Sequence, residues 1–246
     1  MESSIYLSMM SATKILENQE ILANNLANML TTGFKAELYS RTILNDHVSW
    51  KKNPYEFEKR YDLTQGSFRN TMQPLDIAVI NPDGWIVVKV NKNNIAYTKN
   101  GHLKVNEKRQ LTSQGYIIMG KDGPIVIPQD VNCRILSNGT ITITKGSNKF
   151  NQKLNKIKLV KIKIENLIHR NSGLYFINDK NQSNKIIKDN PHIKILSETL
   201  EDSNVNPSES MVNIISDSRK FDMQIKILTS FDENIQLINK FLNINN

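Results

Sequence analysis

The feature that most constrains this chain is a pair of long apolar-periodic stretches, one at each end, with nothing comparable between them. Near the N-terminus Ile5, Met9, Ala12, Leu16, Gln19, Ala23, Leu26 and Leu30 are separated by alternating steps of four and three residues. That is the seam of a helix packed on another helix, and Gln19 is its only polar member. Ile15, Leu22 and Met29 widen the seam into a face. Roughly 27 helical residues rise about 40 Å, more than a small domain beneath them could cover. Thr31-Thr32-Gly33-Phe34 then reads as the stop, because glycine adopts the left-handed terminating conformation without a Cβ clash.

At the other end Asn206 can accept a bond from an early backbone N–H, Pro207 suits the first helical position and Glu209 lies three residues after the cap. The stripe that follows is Met211, Ile214, Ile215, Ser218, Phe221, Ile225, Leu228, Phe231, Ile235, Ile238 and Leu242. Arg219, Lys220, Asp222, Lys226, Asp232 and Glu233 take the wet side. Either the two stripes face each other in a helical hairpin of one globular protein, or they face neighbouring molecules. The pattern alone leaves both open.

Between the ends the texture is that of strands. Residues 34–65 have no clean period and read as an extended connector. From Gly66 short apolar alternations follow one another, punctuated by Asn81-Pro82-Asp83-Gly84, Lys99-Asn100-Gly101, Gly120-Lys121-Asp122-Gly123 and Asn138-Gly139, and such Asn-Gly and Asp-Gly steps are hairpin signals. Lys156 to Ile164 alternates with period two and changes phase at Leu159-Val160, as one strand with a bulge would. The expected fold class is α+β, with long N- and C-terminal helices pairing as a coiled-coil-like unit around a central all-β domain. The expected divisions are 1–33 (N-terminal assembly helix), 34–65 (connector), 66–196 (β-rich domain) and 197–246 (C-terminal segment and helix).

The formal charge of +8 invites a nucleic-acid reading. Residues 1–33 carry −2, 197–206 carry −3 and 207–246 carry −1, which leaves +14 for the middle, much of it in 145–170. Lysines on the outer side of strands are usually solvation and edge protection, and no aromatics interleave them as base stacking requires. No nucleic-acid partner is therefore expected; a basic DNA-binding coiled-coil protein is the alternative from another class, and it would bind with steep salt dependence. Membrane insertion is not expected either, since no apolar run approaches the roughly 18 residues of a spanning helix. Glu2 precedes any basic residue and no small-residue cleavage pattern follows, so a cleaved signal peptide is not expected.

No catalytic, cofactor-binding or metal-ligating residue is nominated. His47, His102, His169 and His192 stand far apart, without ligand spacing to another His, Cys or acid. There is no Gly-x-Ser-x-Gly and no phosphate-cradling loop, and the acidic pairs Glu201-Asp202 and Asp232-Glu233 sit where solvation explains them. Cys133 excludes an internal disulfide and receives no role, nor does the basic stretch 145–170.

Ala23-Asn24-Asn25-Leu26-Ala27-Asn28 followed by Thr31-Thr32-Gly33-Phe34-Lys35 resembles the N-terminal signature of the bacterial flagellar rod and hook axial proteins. Leu200-Glu201-x-Ser203-Asn204-Val205-Asn206, with Arg219-x-Phe221-Asp222 beyond it, resembles their C-terminal signature. Gln65-Gly66, Pro74 to Ala78, Tyr97 to Gly101 and Leu111-Thr112-x-x-Gly115-Tyr116 are similar to the middle blocks, in the same order. Length, Gly84-Trp85 and the Met119 to Pro128 segment look closer to proximal-rod members than to distal-rod ones. The chain departs from the pattern at Asn81-Pro82, at Lys99 where Arg is usual, and at Glu198 where Gly is usual.

The resemblance implies a non-enzymatic structural subunit of the flagellar basal body. It implies export through the flagellar type III apparatus without cleavage, self-assembly with neighbouring axial proteins, and torque transmission along a drive shaft through the periplasm. The residues it puts at the assembly interface are Leu16, Ala23, Asn24, Asn25, Leu26, Asn28 and Leu30 on the first helix and Met211, Ile215, Phe221, Ile225, Leu228 and Ile235 on the second. Asn24, Asn25 and Asn28 are expected to bond between helices of the assembled tube.

Overall fold

A computed structural model describes residues 2–43, 55–91, 94–129, 131–145, 152–163, 167–170, 173–177 and 189–244. His47, Trp50 and the 146–151 part of the basic stretch lie outside these residues, and the side chain of His169 is likewise outside the description. The chain divides into two compact units, one of residues 1–29, 37–60 and 205–246, the other of residues 30–36 and 61–204.

The first unit is built on two helices, α1 (Glu2–Ala27) and α2 (Pro207–Ile244), with the strand Glu37–Ile43 paired to Tyr55–Tyr61. The α2 start is capped as its sequence dictates: the Glu209 N–H donates to Asn206 Oδ1 at 3.3 Å, and the Ser210 N–H and hydroxyl both donate to the Asn206 carbonyl. The helices lie alongside one another, but they do not form the expected coiled-coil-like pair. Half of the expected α1 seam faces solvent: Met9, Leu16, Ala23 and Leu30 are exposed, Leu30 at 88%. The buried positions are Ala12, which belongs to that seam, and Ile21 and Asn25, which do not. On α2 the covered line is Ser210, Ile214, Asp217, Phe221, Gln224, Leu228, Phe231 and Ile235, with three polar members. Between the helices Asn18 donates to Asp217 Oδ2 at 2.5 Å, and Lys220 holds the other Asp217 oxygen at 2.8 Å. A polar contact of this kind stands where interlocking apolar knobs were expected. The α+β description is consistent with the structure; the pairing is what changes.

The described residues of the second unit form strands and the turns between them. Its largest sheet runs Leu167–Arg170, Leu174–Ile177, Ile95–Thr98, Gly84–Lys89, Tyr116–Gly120, Leu111–Ser113, Leu103–Val105, with Gly123–Pro124 and Leu159–Lys161 as side branches. Gly84–Lys89 is buried nearly end to end because both faces are covered. On one side Ile77, Val79, Ile86, Val88, Ile118, Ile135, Ile141 and Ile157 form the main core. On the other, Trp85 packs against Tyr175 at 4.6 Å between centroids, and its indole N–H donates to the Ile162 carbonyl at 3.2 Å. A three-stranded antiparallel sheet (Val131–Ile135, Thr140–Lys145, Gln152–Lys156) contributes Ile135 and Ile141 to that core.

Three local expectations change. Residues 156–163 are not one bulged strand, and Ile164 lies outside the described residues: Gln152–Lys156 belongs to the three-stranded sheet, the strand is interrupted at Lys158, and Leu159–Lys161 pairs with Gly84–Ile86 in the large sheet. The phase flip marked a change of sheet. Asn138-Gly139 does close a hairpin, with Gly139 at φ +81 and Leu136 bonded to Thr140. Asn100-Gly101 does not: Ile95–Thr98 and Leu103–Val105 are not partners, and Gly101 is instead a close-approach point whose added Cβ would lie 1.6 Å from the Ile77 carbonyl oxygen. Gly33 is left-handed at φ +69, yet α1 has already ended at Ala27. Its place is fixed by crowding, since a Cβ there would meet the Lys99 carbonyl at 2.6 Å.

Candidate assembly site

Two arrangements bear on function: the open faces of the helices in the first unit, and a buried charged cluster in the second.

On the helices, Leu16, Ala23 and Leu30 of α1 and its following turn are exposed, as are Met211, Ile215 and Ile225 of α2. Asn24, Leu26, Asn28, Phe221, Leu228 and Ile235 are half-buried within the chain. Val212, Met223, Ile227, Leu237 and Ile238, mostly absent from the expected stripe, are exposed as well. Together these side chains leave a large apolar area open on two adjacent helices. Asn25 stands apart. It is 4% exposed, its amide donates to the Glu37 carbonyl and its Oδ1 accepts the Glu37 N–H, both at 2.8 Å. The amide thus closes a two-bond ring on the backbone that starts the first strand. Asn28 donates back to Asn24 Oδ1 and to the Asn24 carbonyl. Tyr39 donates to Glu17 at 2.6 Å, and partial burial with that carboxylate pushes its phenol pKa well up.

In the second unit, residues from both signatures meet. Lys35 Nζ lies 2.6 Å from Glu201 Oε1, with both side chains wholly buried, and it donates to the Thr64 carbonyl at 2.8 Å. The Gly33 N–H donates to the Glu201 carbonyl at 2.7 Å and the Gly66 N–H to Glu201 Oε1 at 3.3 Å. Asn204 accepts the Ala36 N–H at 2.8 Å and donates to the Asp62 and Thr64 carbonyls. Lys99, 2% exposed, donates to the Asn81 carbonyl at 2.8 Å and sits 5.3 Å over the Trp85 ring. Burial pushes its pKa down to about 8, Glu201 and Asp83 pull it back up, and Lys35 adds to the depression. The second Glu201 oxygen has no hydrogen-bond partner among the described residues. Glu198, at φ +57, keeps the left-handed conformation that favours glycine; its carbonyl accepts the Thr71 N–H and its carboxylate meets Arg134 at 3.1 Å.

The burial of Glu201 differs from the solvated acidic pair that Glu201-Asp202 suggests in the sequence. The signal that could have found it is a lysine and a glutamate each set among apolar and small residues inside the two signature blocks. Elsewhere, His102 Nδ1 lies 2.8 Å from the buried Asp76, which also accepts from Thr71. Burial raises the Cys133 thiol pKa, with Arg109 opposing. Among the described residues no group of three His, Cys, Asp or Glu is placed to hold a metal, and no helix is long and apolar enough to cross a membrane.

Comparison with known proteins places the chain in a family. Residues 10–35 match the family described as flagella basal body rod protein, 79–143 the flagellar hook protein FlgE/F/G D1 domain, and 196–241 the flagellar basal body rod FlgEFG protein C-terminal. The flagellar basal-body rod protein FlgF of Buchnera aphidicola subsp. Baizongia pistaciae is 44% identical over the full length of both chains. FlgF of Salmonella typhimurium is 34% identical across 99% of this chain and all of its own. The rod protein FlgG of the same Buchnera is 26% identical across 89% of this chain and 92% of its own. The chain belongs to the flagellar basal-body rod protein family.

Proposed function

We propose that this chain is a structural subunit of the proximal part of the flagellar rod, reaching it through the flagellar type III export apparatus and polymerising through its terminal helices into the shaft that carries torque. The observation that carries the reading is the end-to-end similarity to relatives named FlgF, stronger than to the one named FlgG. The open helix faces support it, since each large apolar side chain covered by a neighbouring subunit contributes about 1.5–3 kcal/mol. Leu16, Ala23, Leu30, Met211, Ile215 and Ile225 are the residues free to meet other rod and hook-basal-body components; Asn24, Leu26, Asn28, Phe221, Leu228 and Ile235 border them, and Asn25 serves from within.

Ile215, 54% exposed, tests this. In cells whose only copy carries Ile215→Asp, purified hook-basal bodies lack the subunit and everything distal to it, while the purified variant unfolds like the wild type. Complete, motile flagella in those cells refute helix-mediated assembly.

A further inference from the structure

We propose that Glu201 is a completion latch for the second unit: by placing one carboxylate among the buried Lys35 and Lys99, the C-terminal strands make the folding of everything before them conditional on their own arrival.

Lys35 has no exposed side-chain surface, and the carboxylate it meets lies 166 residues later in the chain. Lys99 is equally enclosed. Its contacts are one carbonyl and an aromatic face, and Glu201 and Asp83 favour its charge electrostatically. An ammonium group left in such a place without a counter-charge is strongly unfavourable, whereas the same group in water is not. Until Glu201 docks, both lysines must therefore stay wet, and the elements that enclose them must stay apart. Lys99 reaches Asn81 and Trp85, so its enclosure involves the central strand Gly84–Lys89.

The backbone around Glu201 reinforces the dependence. Ile195–Ser197 pairs with Ile77–Val79, and Thr199–Glu201 pairs with Phe68–Asn70. Ile195 enters the main core, and Gly33 and Gly66 both donate to Glu201. One strap therefore supplies a core residue, two strand pairings and the missing charge. A chain that emerges N-terminus first cannot close this unit early, because the charge that permits closure comes near its end. A purely apolar strap would lack this property, since the rest of the core could collapse without it and merely expose an edge.

The full-length chain and three full-length variants test the latch by amide hydrogen exchange at neutral pH. In Glu201→Gln, exchange across 77–89 and 157–162 accelerates on the order of a hundredfold or more, together with 195–201. In Leu200→Ala, which trims the same strand without touching the charge, acceleration is concentrated in 195–201. The triple variant Lys35→Met, Lys99→Met and Glu201→Met, which removes both buried charges together with their counter-charge, restores slow exchange in 77–89 relative to Glu201→Gln alone, and this holds even if the single variant does not fold. The proposal is overturned if Glu201→Gln opens only 195–201, or if the triple variant is no better protected than the single one.

Discussion

Asn25→Ala is the sharpest test of how the first unit is held together. The sequence suggests an amide reaching a neighbouring helix in an assembly, whereas the structure commits both of its polar atoms to Glu37, at 2.8 Å each. Truncation removes two hydrogen bonds worth about 1 kcal/mol each. The Glu37 N–H and carbonyl, on a residue only 8% exposed, lose these partners, at up to about 1–3 kcal/mol per group. Partial entry of water lowers that second contribution, so the net loss is roughly 2–4 kcal/mol. The readout is the exchange rate of the Glu37 amide in the full-length monomer, because a global melting curve mixes two units. The expected acceleration is on the order of thirtyfold to a thousandfold. Asn24→Ala is the control: Asn24 is half-buried and its side chain bonds only locally to Asn28. If Asn25→Ala leaves the Glu37 amide as slow as Asn24→Ala does, the ring is not what anchors the first strand to α1.

The parts of the fold that were legible in the sequence are those written in local chemistry. The Asn206-Pro207-x-Glu209 start works as read because capping depends on four consecutive residues. The Asn138-Gly139 hairpin works for the same reason. What misled was any signal whose meaning depends on a distant partner. Gly33 and Asn100-Gly101 look like a helix stop and a hairpin, yet each is small because another backbone crosses it. The Leu159-Val160 phase change looks like a bulge because periodicity reports which side is covered and not by which sheet. The α1 seam failed through the same ambiguity. A helix with apolar residues on more than one side has several acceptable stripes, and Asn18, meeting Asp217, helps select the covered one. For the candidate site, the exposed Leu16, Met211 and Ile215 could be named from pattern, whereas the Lys35–Glu201 pair is marked only by the apolar and small neighbours of each residue, since burial of a charge depends on the rest of the fold being complete.

Two further outcomes follow from the buried geometry of the second unit. Gly101→Ala should cost several kcal/mol, since its Cβ would overlap the Ile77 carbonyl at 1.6 Å in a wholly buried strand. Gly115→Ala, with φ +86 but open space around it, should cost only about 1 kcal/mol; urea midpoints of the two variants in the opposite order would contradict the close approach. Lys99 makes the pH dependence. Its folded pKa of about 8 lies below the ordinary value of 10.5, so the unfolded chain holds the proton more tightly and binds more protons between those values. Stability therefore rises with pH across that window, by about 3 kcal/mol from this group alone, and below pH 8 the full penalty is present. The groups facing it are Glu201, Lys35 and Asp83, and its contact with Trp85 is lost with the charge. Tyr97, raised by burial, works in the opposite direction at the alkaline end, because its folded state resists ionisation. The wild type alone would blur the two, so the quantity to follow is the stability difference between wild type and Lys99→Met, measured by urea unfolding from pH 7 to pH 10. Met keeps the length of the side chain and removes the titration. A difference that shifts in favour of the wild type as the pH climbs past 8 is expected; a difference that stays flat would mean that Lys99 carries its charge equally well in the folded and unfolded chain, and that the cluster around Glu201 is solvated enough to impose no charge requirement on folding.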